Sequence, residues 1–162
     1  MRTSGDDVVR VPPGPRIERF TNRWFFLSNF AQAPVVMDGA TYPTVEHAYQ
    51  AAKTLDPARR AFVRSTPGPW TAKRRARSLD LRGDWGGVRL PLMEALVRAK
   101  FAHPRLAEAL RDTCDAVLVE GNTWHDQFWG DCRCGRDTCL GPGENRLGRI
   151  LEAVRFDLRR AA

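Results

Sequence analysis

The stretch YPTVEHAYQAAK, from Tyr42 to Lys53, predicts a helix with two unlike faces. Thr44 belongs to the residue types that cap helix N-termini, so the helix is expected to begin directly after it. At about 100° per residue, one face carries Glu46, Gln50 and Lys53, with Tyr49 at its edge. The opposite face is apolar and carries Val45, Ala48 and Ala52.

That polar face has two explanations. On an ordinary surface helix it contacts solvent, and Glu46 in the first turn is favoured by the helix dipole. In an enzyme the same face lines a water-filled cleft and supplies reactive groups. Periodicity alone favours the solvent-facing helix, but it does not distinguish bulk water from a cleft.

Length and composition favour one domain with an anionic partner. The 162 residues suffice for a single core, and 43% of them are hydrophobic. The formal net charge of +7 favours nucleic acid, nucleotides or phosphorylated metabolites. The N-terminal residues lack the apolar run of a signal peptide, and no segment approaches the roughly 20 apolar residues of a membrane span. We therefore expect a cytoplasmic protein with no membrane partner and with reduced thiols on its four cysteines.

The N-terminal third predicts a leader, a strand and a hairpin. Residues 1–16 are rich in proline, glycine and charge, which predicts a flexible leader before a domain over residues 17–162. IERFTNRWFFLSNF (17–30) is predicted as a strand with its exit loop. PVVMDGATY (34–42) is predicted as a hairpin that turns at Asp38-Gly39.

The remainder of the chain predicts mainly helices. Further helices are expected to start at Pro57, near Leu90 and at Pro104, and a last one to span residues 144–160. AVLVEGN (116–122) is predicted as a buried strand, and residues 122–143 as a loop whose length is typical of functional loops. The elements together predict an α+β fold, a predominantly helical single domain with a small β-sheet.

The predicted loop concentrates aromatic and acidic side chains in EGNTWHDQFWGD (120–131). Loops held at strand ends by a rigid scaffold are common sites of catalytic groups. A base can stack on tryptophan, although Trp124, Phe128 and Trp129 are equally explained as side chains that fill the core under the loop. Asp126, an acid among aromatics, is the stronger candidate for acid–base chemistry.

Three of the four cysteines form a C-x-C-x4-C pattern at Cys132, Cys134 and Cys139. Structural zinc sites usually present C-x2–4-C pairs, and a fourth ligand would have to come from Cys114, His125 or elsewhere. The pattern therefore favours thiols that pack locally or lie on a surface loop over a zinc site. No metal is assigned from the sequence.

A basic run, TAKRRARS at residues 71–78, places four cations within one and a half helical turns: Lys73, Arg74, Arg75 and Arg77. A solvated surface helix is the commonest explanation of such a run. Contact with nucleic acid or with a phosphate group is the alternative.

Ordered segments along the chain resemble the NADAR family, which includes the YbiA-type N-glycosidases. They are FLSNF (26–30), DGATYPTVEHAYQAAK (38–53), MEALVRAKF (93–101), Glu120, DQFWGD (126–131) and GENRLGRIL (143–151). The resemblance spans about residues 25–155, and the ordered blocks are more specific than any one motif. It favours a first helix that lines a site over one that faces solvent.

The resemblance implies a hydrolase of N-glycosidic bonds to ribose that needs no metal or redox cofactor. YbiA-type members are associated with phosphorylated ribosylamino-pyrimidine intermediates of riboflavin biosynthesis, and other members remove ADP-ribose from modified guanine. The expected partner is therefore a phosphorylated ribosyl or ADP-ribosyl substrate, the latter carried on nucleic acid. A non-catalytic nucleotide- or nucleic-acid-binding module is the alternative from a different class.

The family pattern and the chemistry together give the candidate site residues. Glu46 and Asp126 are expected to share proton transfer and stabilisation of charge at C1′, as carboxylate pairs do in glycoside hydrolysis. Lys53 and Lys100 are candidates for a Schiff base with an opened ribosylamine, and the sequence does not rank them. Substrate contacts are expected from Asn29, Phe30, Tyr49, Gln50, Trp85, Trp129, Gly130 and Asn145, and phosphate contacts from Arg74 and Arg77.

The chain departs from the family pattern at CRCGRDTCLGP (132–142), which stands where the family usually has a short glycine-rich link. The segment between Glu120 and Asp126 is also one residue longer than usual. Both departures lie at the expected rim of the site. The family therefore predicts the reaction type better than the substrate preference.

Overall fold

Helices predominate in the computed structural model, which describes residues 15–161. Within that range the α+β prediction is confirmed, but three separate two-stranded sheets stand in place of one small sheet. Most of the predicted leader lies outside the described residues. Arg16, its last residue, already belongs to the first strand, β1 (Arg16–Ile17).

Of the strand and exit loop predicted over residues 17–30, only Ile17 lies in a strand, and a 3₁₀ helix occupies Asn22–Leu27. Asn22 adopts a left-handed φ of 51°, which turns the chain out of the extended conformation. With three residues per turn, Trp24 and Leu27 fall on the same side, and both pack against the core. The aromatic residues of this segment therefore did not indicate a strand.

The predicted hairpin is confirmed. Its strands are β2 (Val35–Met37) and β3 (Ala40–Tyr42), which pair antiparallel. Asp38 and Gly39 have φ angles of 49° and 74°, as the two central residues of a type I′ turn require.

Three helices follow the hairpin, and the first two begin at the predicted positions. They are α1 (Val45–Ala51), α2 (Pro57–Arg64) and α3 (Pro69–Ala76). Thr44 Oγ1 accepts a hydrogen bond from the His47 amide at 3.2 Å, and Asp56 Oδ1 accepts from the Ala58 amide at 2.8 Å. Both contacts satisfy backbone donors that a helix start leaves free.

The longest helix is α4 (Trp85–Phe101), which starts before the predicted Leu90 and continues through Pro91. It is followed by α5 (Pro104–Arg111), and the chain's last helix is α6 (Arg146–Arg160). Helix α4 contacts α1, α5 and α6, so it forms the centre of the helical layer. Four residues that share one face of α4 are buried: Met93, Leu96, Val97 and Lys100.

The remaining strands are two residues long and parallel. Strand β4 (Val117–Leu118) pairs with β1, and β5 (Gly121–Asn122) pairs with β6 (Asp131–Cys132). A 3₁₀ helix at Asp137–Cys139 follows β6. The predicted loop over residues 122–143 therefore leaves β5 and returns beside it as β6. No helix within residues 15–161 is long and apolar enough to cross a bilayer.

Candidate active site

A cavity of about 540 Å³ lies between the helical layer and the loop that follows β4. Helix α1 contributes Glu46 and Gln50 to one side of it, and Lys53, just past the end of α1, lies on the same side. The other side contains Glu120 and Asp126. We call these sides the helix wall and the loop wall, the latter comprising residues 120–131.

The helix wall shows that the polar face of α1 lines a cavity. All seven residues of α1 are buried, and Glu46 and Gln50 are only 6% and 3% exposed. Gln50 Nε2 donates to Glu46 Oε1 at 2.7 Å, which fixes the orientation of the carboxyl group. Burial raises the pKa of Glu46, while the positive charge of Lys73 acts in the opposite direction.

The loop wall is held by side chains that bond its own backbone. Asn122 Oδ1 accepts from the amides of Trp124 and Asp126, each at 3.2 Å. Asp126 Oδ1 accepts from the amides of Phe128 and Trp129, at 3.2 and 2.8 Å. These contacts position Asp126 at the cavity although it lies in no helix or strand.

Glu120 is a third carboxyl group in the cavity. Burial, together with the negative charges of Asp126 and Glu46, raises the pKa of Glu120 to about 7. Its backbone amide donates to Asn145 Oδ1 at 3.0 Å, which fixes the residue at the end of β4. The sequence matched Glu120 to the family pattern without giving it a role. The signal was an acid that directly follows a buried strand.

The two candidate lysines differ in position. Lys53 lines the cavity, and burial lowers its pKa. Lys100 is only 2% exposed and lies behind the lining, where its Nζ donates to the carbonyl of Ser28 at 2.7 Å. Burial lowers the pKa of Lys100 to about 7, with Glu120 acting in the opposite direction.

Aromatic side chains surround the carboxyl groups. The Tyr49 ring lies 5.1 Å from that of Trp85 and 5.5 Å from that of Trp129, and all three line the cavity. At the other end of the cavity the Trp70 ring lies 4.9 Å from that of Phe30 and 6.3 Å from that of Trp124. Trp70 was not among the sequence candidates, because it stands next to a proline–glycine stretch that reads as a linker.

Four expected substrate-contacting residues do not line this cavity. Asn145 is part of the scaffold, since its Nδ2 donates to the Leu118 carbonyl at 2.8 Å. Gly130 packs directly on the Glu120 carbonyl, which a Cβ atom there would overlap. Arg74 and Arg77 line a neighbouring cavity of about 230 Å³ with Trp70, Thr71 and Lys73. Lys73 and Trp70 line both cavities, so the two are adjacent.

Three buried oxygen atoms of the lining accept no hydrogen bond from the described residues. They are Asn29 Oδ1, Gln50 Oε1 and Glu120 Oε2. Buried acceptors without a donor are costly in a folded protein, and at a ligand site a bound hydroxyl or amine satisfies them.

Comparison with known proteins places the chain in a family. The NADAR domain matches residues 17–159. N-glycosidase YbiA of Escherichia coli (strain K12) is 42% identical over 134 residues, which are 81% of this chain and 79% of that protein. The NMR structure of Escherichia coli YbiA covers 96% of this chain and 91% of its own, with a TM-score of 0.78 and 35% identity.

Two further relatives carry informative names. N-glycosidase Npun_R5314 of Nostoc punctiforme is 35% identical over 138 residues, 82% of this chain and 84% of that protein. Riboflavin biosynthesis protein VVA0006 of Vibrio vulnificus is 37% identical over 140 residues, 85% of this chain but 36% of that protein. The fold and the carboxylate-lined cavity thus occur in a chain that belongs to the NADAR family.

Proposed function

We propose that this protein is an N-glycosidase that hydrolyses the bond between C1′ of a phosphorylated ribose and the nitrogen of a base or amine. The observation that carries the proposal is the convergence of Glu46, Glu120 and Asp126 on one cavity from two different parts of the chain. The names of the relatives from Escherichia coli and Nostoc punctiforme support the same reaction.

The carboxyl groups divide the chemistry between them. Cleavage of C1′–N requires a proton for the departing nitrogen and stabilisation of positive charge at C1′. Glu120, with a pKa near 7, is a suitable proton donor at neutral pH. Glu46 and Asp126 supply negative charge near C1′ and orient the water whose oxygen replaces the nitrogen.

The remaining lining suits the other parts of the substrate. The aromatic group of Tyr49, Trp85 and Trp129 offers ring faces and edges to a pyrimidine. The free acceptors of Asn29 and Gln50 suit ribose hydroxyls. A phosphate fits the adjacent smaller cavity, which is lined by Lys73, Arg74 and Arg77.

A covalent route is available to substrates that open to an imine at C1′. A neutral lysine amine adds to that carbon, the original amine departs, and water then hydrolyses the lysine imine. Lys53 has the position for this step, because it lines the cavity, and we assign the attack to it. Borohydride added during turnover should reduce the lysine imine and so leave the sugar permanently bound to Lys53. A sugar adduct on Lys100 would transfer the role to that residue.

A second candidate activity is release of ADP-ribose from modified guanine. It is favoured by the rim of the cavity, formed by Phe30, Trp70 and Trp124, where partly exposed rings provide additional stacking surfaces. The smaller basic cavity adjoins this rim and suits a second phosphate.

One turnover assay tests the proposal. Purified protein is incubated with a phosphorylated ribosylamino-pyrimidine, and separately with an oligonucleotide that carries ADP-ribosylated guanine. Release of ribose 5-phosphate in the first reaction supports the main proposal, and preferential release of ADP-ribose in the second supports the alternative. Saturable, salt-sensitive binding without cleavage of either substrate would identify a binding module and refute both.

A further inference from the structure

Three cysteines and one histidine converge beside the loop wall. The Sγ atoms of Cys132, Cys134 and Cys139 and a ring nitrogen of His125 all lie within 4.8 Å of one another. His125 Nδ1 is 3.2 Å from Cys134 Sγ and 3.5 Å from Cys139 Sγ. Cys114 does not belong to this cluster.

Four atoms gathered this closely can surround one metal ion with small shifts of their side chains. Zinc binds thiolate sulfur at about 2.3 Å and imidazole nitrogen at about 2.0–2.1 Å, so tetrahedral ligands lie roughly 3.5–3.8 Å apart. The two distances from His125 Nδ1 to thiol sulfur atoms, 3.2 and 3.5 Å, are close to that separation. A disulfide does not account for the cluster as well, because pairing two of the three thiols leaves the third and the imidazole unexplained.

We propose that His125, Cys132, Cys134 and Cys139 bind one zinc ion. Three soft thiolates and one imidazole favour zinc over the oxygen-binding cations magnesium and calcium. Because the protein supplies all four ligands, no position remains for a substrate or for a reactive water. The ion is therefore structural.

Hydrogen bonds around the four proposed ligands resemble those that orient the ligands of known metal sites. The His125 amide donates to Cys132 Sγ at 3.3 Å, a contact that stabilises a thiolate ligand. Gln127 joins the two ends of the insert, since its Oε1 accepts from the Cys132 amide at 2.7 Å and its Nε2 donates to the Gly141 carbonyl at 2.9 Å. His125 also adopts a left-handed φ of 68°, a conformation that costs energy and turns its ring towards the thiols.

The proposed ion would fix part of the candidate active site. His125 lies between Trp124 and Asp126, and both of these line the large cavity. Three of the ligands, Cys132, Cys134 and Cys139, belong to the insert that stands in place of the family's short link. Zinc would thus tie the insert to the loop wall and hold the two neighbouring side chains in place.

The metal content of the purified full-length chain tests the proposal. Protein prepared without chelators, after removal of any affinity tag, should contain about one zinc per chain by plasma mass spectrometry. Zinc affinity should fall at least roughly tenfold in Cys134→Ser and His125→Ala, since losing even an outer-shell partner costs about 10–100-fold. Cys114→Ser is the matched control and should keep its zinc. His125 is exposed and Cys134 only half-buried, so neither substitution removes a core side chain.

A second measurement uses the wild-type chain alone. Cobalt added to metal-free protein should give the intense visible bands of tetrahedral thiolate coordination, and zinc should abolish them. Metal-free wild-type protein that shows neither zinc uptake nor cobalt bands would overturn the proposal, as would iron in place of zinc or a disulfide within the cluster. These readouts do not depend on glycosidic cleavage, so the metal site and the proposed function can fail separately.

Discussion

The helix wall and the loop wall bring carboxyl groups to the same cavity by different means. Helix α1 is fully buried and contacts α2, α3 and α4, so packing and the 3.6-residue period place Glu46 and Gln50. The loop wall has only two-residue strands. Its shape is held by backbone amides that donate hydrogen bonds to the side-chain oxygens of Asn122, Asp126 and Asn145. Burial thus positions one acid, and polar cross-links position the other two.

This difference has an energetic consequence. Each polar cross-link contributes only about 0.5–1.5 kcal/mol net, whereas a fully buried large side chain contributes about 1.5–3 kcal/mol. The loop wall is therefore expected to open locally at a lower free energy than the helix wall. The proposed zinc ion would supply much of the missing rigidity on that side.

The largest expected effect is the loss of activity in Glu46→Gln. The amide keeps the shape of the carboxyl group but carries no charge and takes no part in proton transfer, so we expect kcat to fall by about 10²–10⁴-fold. Steady-state kinetics on the ribosylamino-pyrimidine measures this, and Glu94→Gln, at an exposed acid of α4, is the control. Activity within a few-fold of wild type would remove Glu46 from the mechanism.

The next effect separates the chemical role of Asp126 from its structural role. Asp126→Asn keeps an oxygen that accepts from the amides of Phe128 and Trp129, whereas Asp126→Ala does not. Both variants should lose activity, but only Asp126→Ala should lose hydrogen-exchange protection at those two amides, by roughly 5–100-fold for a contact worth about 1–3 kcal/mol. Equal protection in both variants would show that the loop wall is held by something other than this carboxyl group.

The smallest expected effect is the change in wild-type activity with pH. Glu120 must keep its proton to act as the acid, so kcat/KM should fall as pH rises through about 7, and Glu120→Gln should lose this limb along with most activity. The charged groups that influence Glu120 are Asp126, Glu46, Lys73 and Lys100. Burial also lowers the pKa of Lys100 to about 7. A decline in kcat/KM that persists in Glu120→Gln would therefore be assigned to the lysine.

The same pKa has a consequence for stability. The folded chain keeps the Glu120 proton up to about pH 7, whereas the ordinary pKa of the group is 4.5. Between these values the unfolded chain binds fewer protons, so the contribution of Glu120 to the free energy of unfolding declines as pH rises through this window. Denaturant titrations at a series of pH values should show that this decline is smaller in Glu120→Gln. An unchanged slope would mean that Glu120 is ionised in the folded protein.

Several elements followed from local rules of the sequence. Asp38-Gly39 predicted the hairpin because both turn positions need positive φ angles. Thr44 predicted a helix start because its side chain bonds a free amide, and Pro57 predicted another because proline suits the first helical position. The 3₁₀ helix at Asn22–Leu27 did not follow, since its aromatic residues suit a strand equally well.

The sequence by itself determined most of the α-helices, the hairpin and the two faces of α1, because these depend on contacts between residues near each other in the chain. Only the tertiary structure decided that the polar face lines a cavity, that Glu120 joins Glu46 and Asp126 there, and that His125 meets three thiols. Burial, pKa shifts and ligand spacing depend on segments far apart in sequence. No periodic pattern within one segment records which other segment lies opposite it.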